Sequence, residues 1–374
     1  MRRTILPTVF SSFLKRFFSA FTRPAQKHFV CYVLGLVLMI RFRSIRRIAD
    51  QFGQGQVDSL HHFLRDGAWD HRDLIRQSQE SAIKAVPTRQ RTLLIIDDTP
   101  IERHGHKIEG AGVHHGPRGL LWGQCAVTAL IRSDSLNLFW DVRGYRPKKA
   151  CPAKEFKSKI DLAQEIIRDA PTFGRDLTVV MDSWYTCGRI LRTIDDFHWT
   201  FVAALKSNRL VVIDEHKTRV SNLAKGPHVC RTVRLPNGRL VRATERLAYL
   251  PRFGPVKVII GKERDNRRFL ITNDLGLSAA QVVRIYAQRV WIDTTHENVK
   301  QHLGLGELHV RSWRAAQRHW ALVLVAHNAL VIWDARRRDG GGRRTFGQII
   351  RSFRAQYERP HRLCPCTKTL QLPA

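Results

Sequence analysis

Two short apolar runs rich in branched residues each end in aspartate: Leu93–Ile96 leads to Asp97 in LLIIDDTP, and Leu177–Met181 leads to Asp182 in TVVMDSWY. Such runs read as buried strands, because β-branched side chains fit a pleated surface covered on both faces. In an open α/β sheet, sites form outside the carboxyl ends of strands. Two acids delivered there by separate strands can therefore meet although they lie far apart in sequence. Between and around these runs the pattern predicts further strands at Gln124–Ile131, Leu136–Val142 and Trp199–Leu205. It predicts helices at Lys154–Asp169 and Tyr185–Asp195. Pro100 is expected to stop the first strand, with a polar loop from Glu102 to Gly119 after it. Ser133-Asp134-Ser135 is expected to turn a hairpin.

The stretch Tyr286–Lys300, YAQRVWIDTTHENVK, reads as one helix with a polar stripe. At helical spacing Tyr286, Arg289, Asp293, Glu297 and Lys300 fall within an arc of roughly 80°. Trp291 points about 140° from Tyr286, toward core packing. Ser278 is the expected cap of this helical region. Three carboxylates on separate elements, Asp97, Asp182 and either Asp293 or Glu297, suit a pair of Mg²⁺ ions, which prefer oxygen ligands. Two such ions about 4 Å apart serve both the attacking and the leaving oxygen of a phosphodiester. Arg289 and Lys300 on the same face suit phosphate.

The chain of 374 residues carries 63 Lys and Arg against 32 Asp and Glu, a formal charge of +31. An excess of this size points to a polyanionic partner, nucleic acid first. The longest apolar run, Phe29–Ile40, spans 12 residues and falls short of the about 20 that cross a bilayer. It is expected to be a buried helix, and no membrane partner is expected. Arginine and lysine interrupt the N-terminus, so no signal peptide is read. Seven cysteines form no disulfide framework, which fits a cytoplasmic, nucleoid-associated protein. Neither a G-x-S-x-G nor a P-loop pattern occurs. The histidines at 104, 106, 114 and 115, and Cys364 and Cys366 beside His361, match no standard zinc spacing.

The pattern divides the chain into five parts: a helical N-terminal region (1–90), a first core segment (91–205), a β-rich insertion (206–270), C-terminal core helices (271–335) and a basic tail (336–374). Within the first part, RSIRRIADQFGQGQVDSLHHFL reads as a helix-turn-helix or a plain helical hairpin, with its second helix from Ser59.

IIDDT, VVMDSWY and the spacing of Tyr286, Arg289, Asp293 and Lys300 together resemble a DDE transposase of the IS4/IS701 type. FLITN before the last block and GLGELHVRSWRAAQRHWALVLVAHNAL after it are similar to this family as well. The resemblance covers roughly residues 30 to 335. It implies an RNase H-like α/β core: a mixed sheet with flanking helices. It implies a transposase that cuts and joins phosphodiesters at the inverted-repeat ends of an insertion sequence. Asp97, Asp182 and Asp293 would be the catalytic metal ligands for two Mg²⁺ or Mn²⁺ ions, with Glu297 as the alternative third acid. Tyr286, Arg289 and Lys300 would contact DNA phosphates. The partners would be terminal inverted repeats and target DNA, bound by a homodimer. The family usually has glutamate where this chain has Asp293. That departure leaves two other readings: a weakened or inactive DNA-binding relative, or a host nuclease on the same fold. Trp291 and Trp313 are candidates to stack on an unpaired base.

Overall fold

The computed structural model describes residues 8–87, 91–105, 107–116, 119–133, 136–170, 176–225, 230–263, 266–337 and 344–362, without the side chains of 358–362. His106, the tip of the Ser133–Ser135 turn, most of the glycine-rich stretch before Thr345, and the Cys364/Cys366 pair with the His361 side chain lie outside the described residues.

The two acid-terminated runs are neighbouring parallel strands. β1 (Thr92–Glu102) pairs with β5 (Leu177–Met181) in the register Ile96↔Met181, and β5 pairs in parallel with β6 (Thr200–Leu205). On the other side of β1, β3 (Gly119–Arg132) runs antiparallel, and β4 (Asn137–Tyr145) pairs with β3. The order β4-β3-β1-β5-β6, with β1, β5 and β6 parallel, is an RNase H-like mixed sheet. β12 (Asn266–Thr272) then pairs antiparallel with β6. Through it β11 (Gly254–Glu263), β10 (Leu240–Leu250), β7 (Leu210–Ile213) and β8 (His216–Arg219) extend the same sheet. β9 (Arg231–Arg234) forms a hairpin with β10.

β1 does not stop at Pro100. It continues to Glu102, with Pro100 opposite Cys125 of β3. Proline is tolerated there because pairing with β5 ends at Ile96, so β1 no longer needs a donor on that side. The region after Glu102 is likewise not all loop: β2 (Gly112–Gly116) forms a hairpin with the start of β3.

Helices cover both faces. α6 (Lys159–Asp169) and α7 (Gly188–Asp196) lie on one, and α8 (Ala279–Ala287) packs on the other against β6, β10, β11 and β12. α6 starts later than Lys154 because Ser158 and Asp161 form a capping box. Ser278 and Gln281 do the same for α8. α10 (Trp313–Ala335) carries a long apolar run and is almost wholly buried, its polar Arg318, His319, His327, Asn328 and Asp334 included, as befits a helix enclosed by others. Around it pack α1 (Thr8–Lys15), α2 (Arg23–Leu38), α4 (Val57–Arg65), α5 (His71–Ala85), α9 (Val290–Leu303) and α11 (Phe346–Arg362). The apolar run is buried within α2 from Phe29 to Val37, but α2 ends at Leu38 and Ile40 is exposed. Among the described residues no helix is long and apolar enough to cross a membrane.

Two buried charge clusters tie the helical N-terminal region to the sheet and to the C-terminal helices. The fully buried Arg43 side chain donates to Glu307 Oε1 (2.6 Å) and to the carbonyls of Leu36, Ile40 and His302. Gly304 ends α9 in the left-handed region (φ 69°), and a Cβ there would lie 2.9 Å from Arg43 Cδ. Glycine thus serves both the turn and the close approach. Asp141 of β4 is fully buried and accepts from Arg72 of α5 (2.5 and 2.9 Å) and from Arg143 (3.1 Å).

Candidate active site

Strand alternation sends adjacent residues of β1 to opposite faces. Leu93 and Ile95 belong to the apolar cluster under α8, and Leu94 and Ile96 to the larger cluster on the other face. Asp97 therefore continues toward α8 and α9, and Asp98 turns away from them. On β5, Val180 lies in the cluster under α8, and Asp182 two residues later shares its side. The register Ile96↔Met181 then sets Asp97 and Asp182 next to each other where the parallel pairing of β1 with β5 ends.

The stretch expected as one helix is two. α8 ends at Ala287, and α9 begins at Val290. Between them the hydrogen bonds tighten to i→i+3: Gln288 N–H to Ile285 O, Arg289 N–H to Tyr286 O, Trp291 N–H to Gln288 O and Ile292 N–H to Arg289 O. Gln288 and Arg289 keep right-handed helical dihedrals, so residue pattern alone carries no sign of this 3₁₀ turn.

Arg289 at this turn joins the acids. Its Nη1 donates to Asp97 Oδ2, and its Nη2 lies 3.5 Å from Asp293 Oδ2. Asp97 and Asp293 hold the guanidinium firmly charged against the cost of its burial. Burial pushes the Asp97 carboxyl up to about 7, with Asp182 and Asp98 adding like charge. Arg289 and the Asp98 backbone N–H oppose the shift. Asp293 also shifts up, through burial first, then through Glu297 and Asp182, against Arg289. The field of Asp182 thus reaches both other acids. Among the described residues no three His, Cys, Asp or Glu side chains stand close enough to share one metal ion as arranged. The Arg289 guanidinium supplies the positive charge between Asp97 and Asp293. All three acids offer oxygen donors and repel one another, a donor set that suits a hard divalent cation.

Glu297 lies one turn along α9, exposed, and its charge acts on Asp293 and Lys300. Lys300 Nζ donates to the Pro100 carbonyl (2.8 Å), and burial lowers its pKa. Tyr286 is half-buried and interacts with Arg289, Arg268 and Asp182. His296 falls just outside the polar arc and was not anticipated from the sequence. It is buried 2.7 Å from Thr128 Oγ1, and burial drives its pKa down to about 3, so the ring is neutral.

Both tryptophans named as stacking candidates are half-buried and already contact other side chains. Trp313 packs edge-on against Trp320 at 5.6 Å between ring centroids. Trp291 lies under the Arg132 guanidinium at 4.5 Å and packs on the cluster beneath α8.

On the far face of β1, Asp98 accepts from Lys159 Nζ (2.6 Å) and Tyr185 Oη (3.0 Å). Asp182 Oδ1 accepts the Trp184 N–H (2.8 Å), and α7 starts only at Gly188. The expected helix from Tyr185 is shortened because Tyr185 and Thr186 are committed to anchoring bonds.

A cleft of about 900 Å³ opens beside Asp293 and Arg289. Tyr286, Arg289 and Asp293 form one wall, and Asn237, Arg239, Arg267 and Arg268 face them from the β9–β12 strands. The pair Arg267-Arg268 on β12 was legible only as strand; its basic character was the available signal.

An RNase H-like sheet with aspartates where two adjacent parallel strands cease to pair, on the side of a third acid on a helix, defines the class of this core. The chain matches the family described as DDE superfamily endonuclease over residues 16–244, more than half of its length, and it belongs to that family. It is also 24% identical over 188 residues to the probable transposase for insertion sequence element IS701 of Microchaete diplosiphon, covering 48% of this chain and 49% of the relative. The chain thus spans about half the length of the curated relative it matches.

Proposed function

We propose that the protein is a DNA transposase, cutting and joining phosphodiesters at the inverted-repeat ends of an insertion sequence. The observation that carries this is the convergence of Asp97, Asp182 and Asp293, with Arg289 bonded to the first and next to the third. The family and the name of the IS701 relative support the same reading. Asp97, Asp182 and Asp293 would hold two Mg²⁺ or Mn²⁺ ions. When bound, such ions lower the pKa of an attacking water and neutralise the leaving oxygen. Arg289 offers a bidentate grip on a phosphate, Tyr286 a hydroxyl beside it, and Lys300 a point charge. The basic wall at Arg267 and Arg268 extends this surface along a duplex. The hairpin of α3 (Ile45–Phe52) and α4, with Arg46, Arg47 and Arg65 exposed, serves as an end-binding element within the helical N-terminal region. Two copies pair the two ends, as a homodimer.

The third acid is assigned to Asp293, which Arg289 holds beside Asp97. Asp293→Ala is expected to lower Mn²⁺-dependent cleavage of duplex end DNA by about a hundredfold or more, and Glu297→Ala by less than about threefold. The reverse pattern would transfer the role to Glu297. A large gain in cleavage by Asp293→Glu would favour a site weakened by the shorter side chain. Short inverted repeats and a target duplication in the DNA flanking the coding sequence would separate a transposase from a host nuclease.

A further inference from the structure

We propose that Trp184 and Lys206 form a platform that holds one unpaired nucleobase next to the bond being cut. This rests on the DNA-cutting reading above. The segment from Asp182 to Cys187 joins β5 to α7 and is anchored at nearly every residue. Asp182 Oδ1 accepts the Trp184 N–H at 2.8 Å. Tyr185 is fully buried, its hydroxyl 3.0 Å from Asp98 Oδ1. Thr186 Oγ1 lies 2.7 Å from the Ala204 carbonyl of β6 and 3.0 Å from that of Asp182. The Cys187 N–H donates to Tyr185 O at 2.8 Å.

With its neighbours turned inward, the indole of Trp184 points out, 57% exposed. A large apolar ring on a held loop loses little conformational entropy when a ligand binds, and it stays costly to hydrate until one does. Five other tryptophans, Trp69, Trp140, Trp199, Trp320 and Trp333, are buried. Lys206 follows β6 directly, and its Nζ lies 5.3 Å from the centroid of the Trp184 ring. Asp182 and Lys206 thus directly follow the parallel strands β5 and β6, and Asp97 lies on β1 just past the end of its pairing with β5.

A flat exposed ring with a cation over one face, two residues from a site acid on a chain of charge +31, matches the chemistry of a base and its phosphate. Bases of any identity stack on an aromatic face, and the ammonium pairs with the neighbouring phosphate. A duplex hides its base faces, so the platform engages a nucleotide at a frayed or nicked end.

The test uses the full-length protein without divalent metal and two DNA probes. One is a flush-ended duplex. The other is the same duplex with a short unpaired 3′ extension that carries 2-aminopurine. The wild type is expected to bind the extended probe about tenfold more tightly than the flush one and to quench the 2-aminopurine. Trp184→Phe keeps both effects. Trp184→Ala, with an unchanged thermal melt, binds both probes alike and does not quench. Lys206→Met loses part of the preference. Retention of preference and quenching by Trp184→Ala would overturn the platform alone. So would a wild type that binds and cuts DNA yet prefers neither probe. A wild type that binds neither probe would overturn the DNA-cutting reading and the platform with it.

Discussion

Asp97→Ala and Asp182→Ala are each expected to abolish strand cleavage, a loss of about three orders of magnitude or more, with affinity for end DNA kept within about threefold. The size of the effect follows from position. Both carboxylates stand where the parallel pairing of β1 and β5 ends, and Asp182 adds like charge at Asp97. Neither has a substitute, because the next acid on β1, Asp98, faces the opposite side and is committed to Lys159 and Tyr185. Binding should survive because the groups proposed to contact phosphate lie elsewhere, on α8, α9 and β12. Removing Asp97 also frees Arg289 from its closest partner, so binding by Asp97→Ala should strengthen if it changes at all. A gel assay of cleavage beside a filter-binding titration checks both halves, and cleavage that survives either change contradicts the site.

The second large effect is on stability. Asp141→Ala is expected to destabilise the protein by about 3–5 kcal/mol, read from a denaturant melt. The carboxylate is fully buried between Arg72 and Arg143, and its loss leaves the two guanidinium groups without their buried partner, with only the half-exposed Asp169 still shared between them. Arg143 also reaches Glu165 at 2.5 Å, so the damage spreads from β4 to α6 as well as α5. Burial alone would raise the Asp141 pKa. The two arginines outweigh it and hold the carboxyl at about 2, below its ordinary 3.8. A carboxyl depressed in the folded state stabilises the protein fully above its unfolded pKa. That contribution, on the order of 2 kcal/mol for a shift of this size, is lost as pH falls from about 4 toward 2. The wild type should therefore lose stability across that window more steeply than Asp141→Asn.

The strands that deliver Asp97 and Asp182 were legible because short branched runs ending in acid have few other uses. The polar stripe of Arg289, Asp293, Glu297 and Lys300 was legible from helical spacing. The 3₁₀ turn at Gln288–Arg289 was not, since both residues keep helical dihedrals and neither glycine nor proline marks it. Pro100 misled for a specific reason: a proline breaks a strand only where a donor is needed, and β1 has lost its β5 neighbour by that point. The continuation of the sheet through β12 depends on pairing between Thr200–Leu205 and Asn266–Thr272, segments about sixty residues apart with no shared local signal. Lys206 and Arg268 reach the site through such long-range pairings, and periodicity says nothing about which loop an exposed ring such as Trp184 will occupy.

The central claim is that Asp97, Asp182 and Asp293 act together with divalent metal on a DNA phosphodiester. The most direct measurement incubates the purified wild type with duplex DNA carrying the flanking end sequence, first with Mg²⁺ and then with EDTA. Cleavage at the end that leaves a 3′-hydroxyl with Mg²⁺, and none with EDTA, is the expected result. Equal cleavage in EDTA, or none with either Mg²⁺ or Mn²⁺, would contradict it.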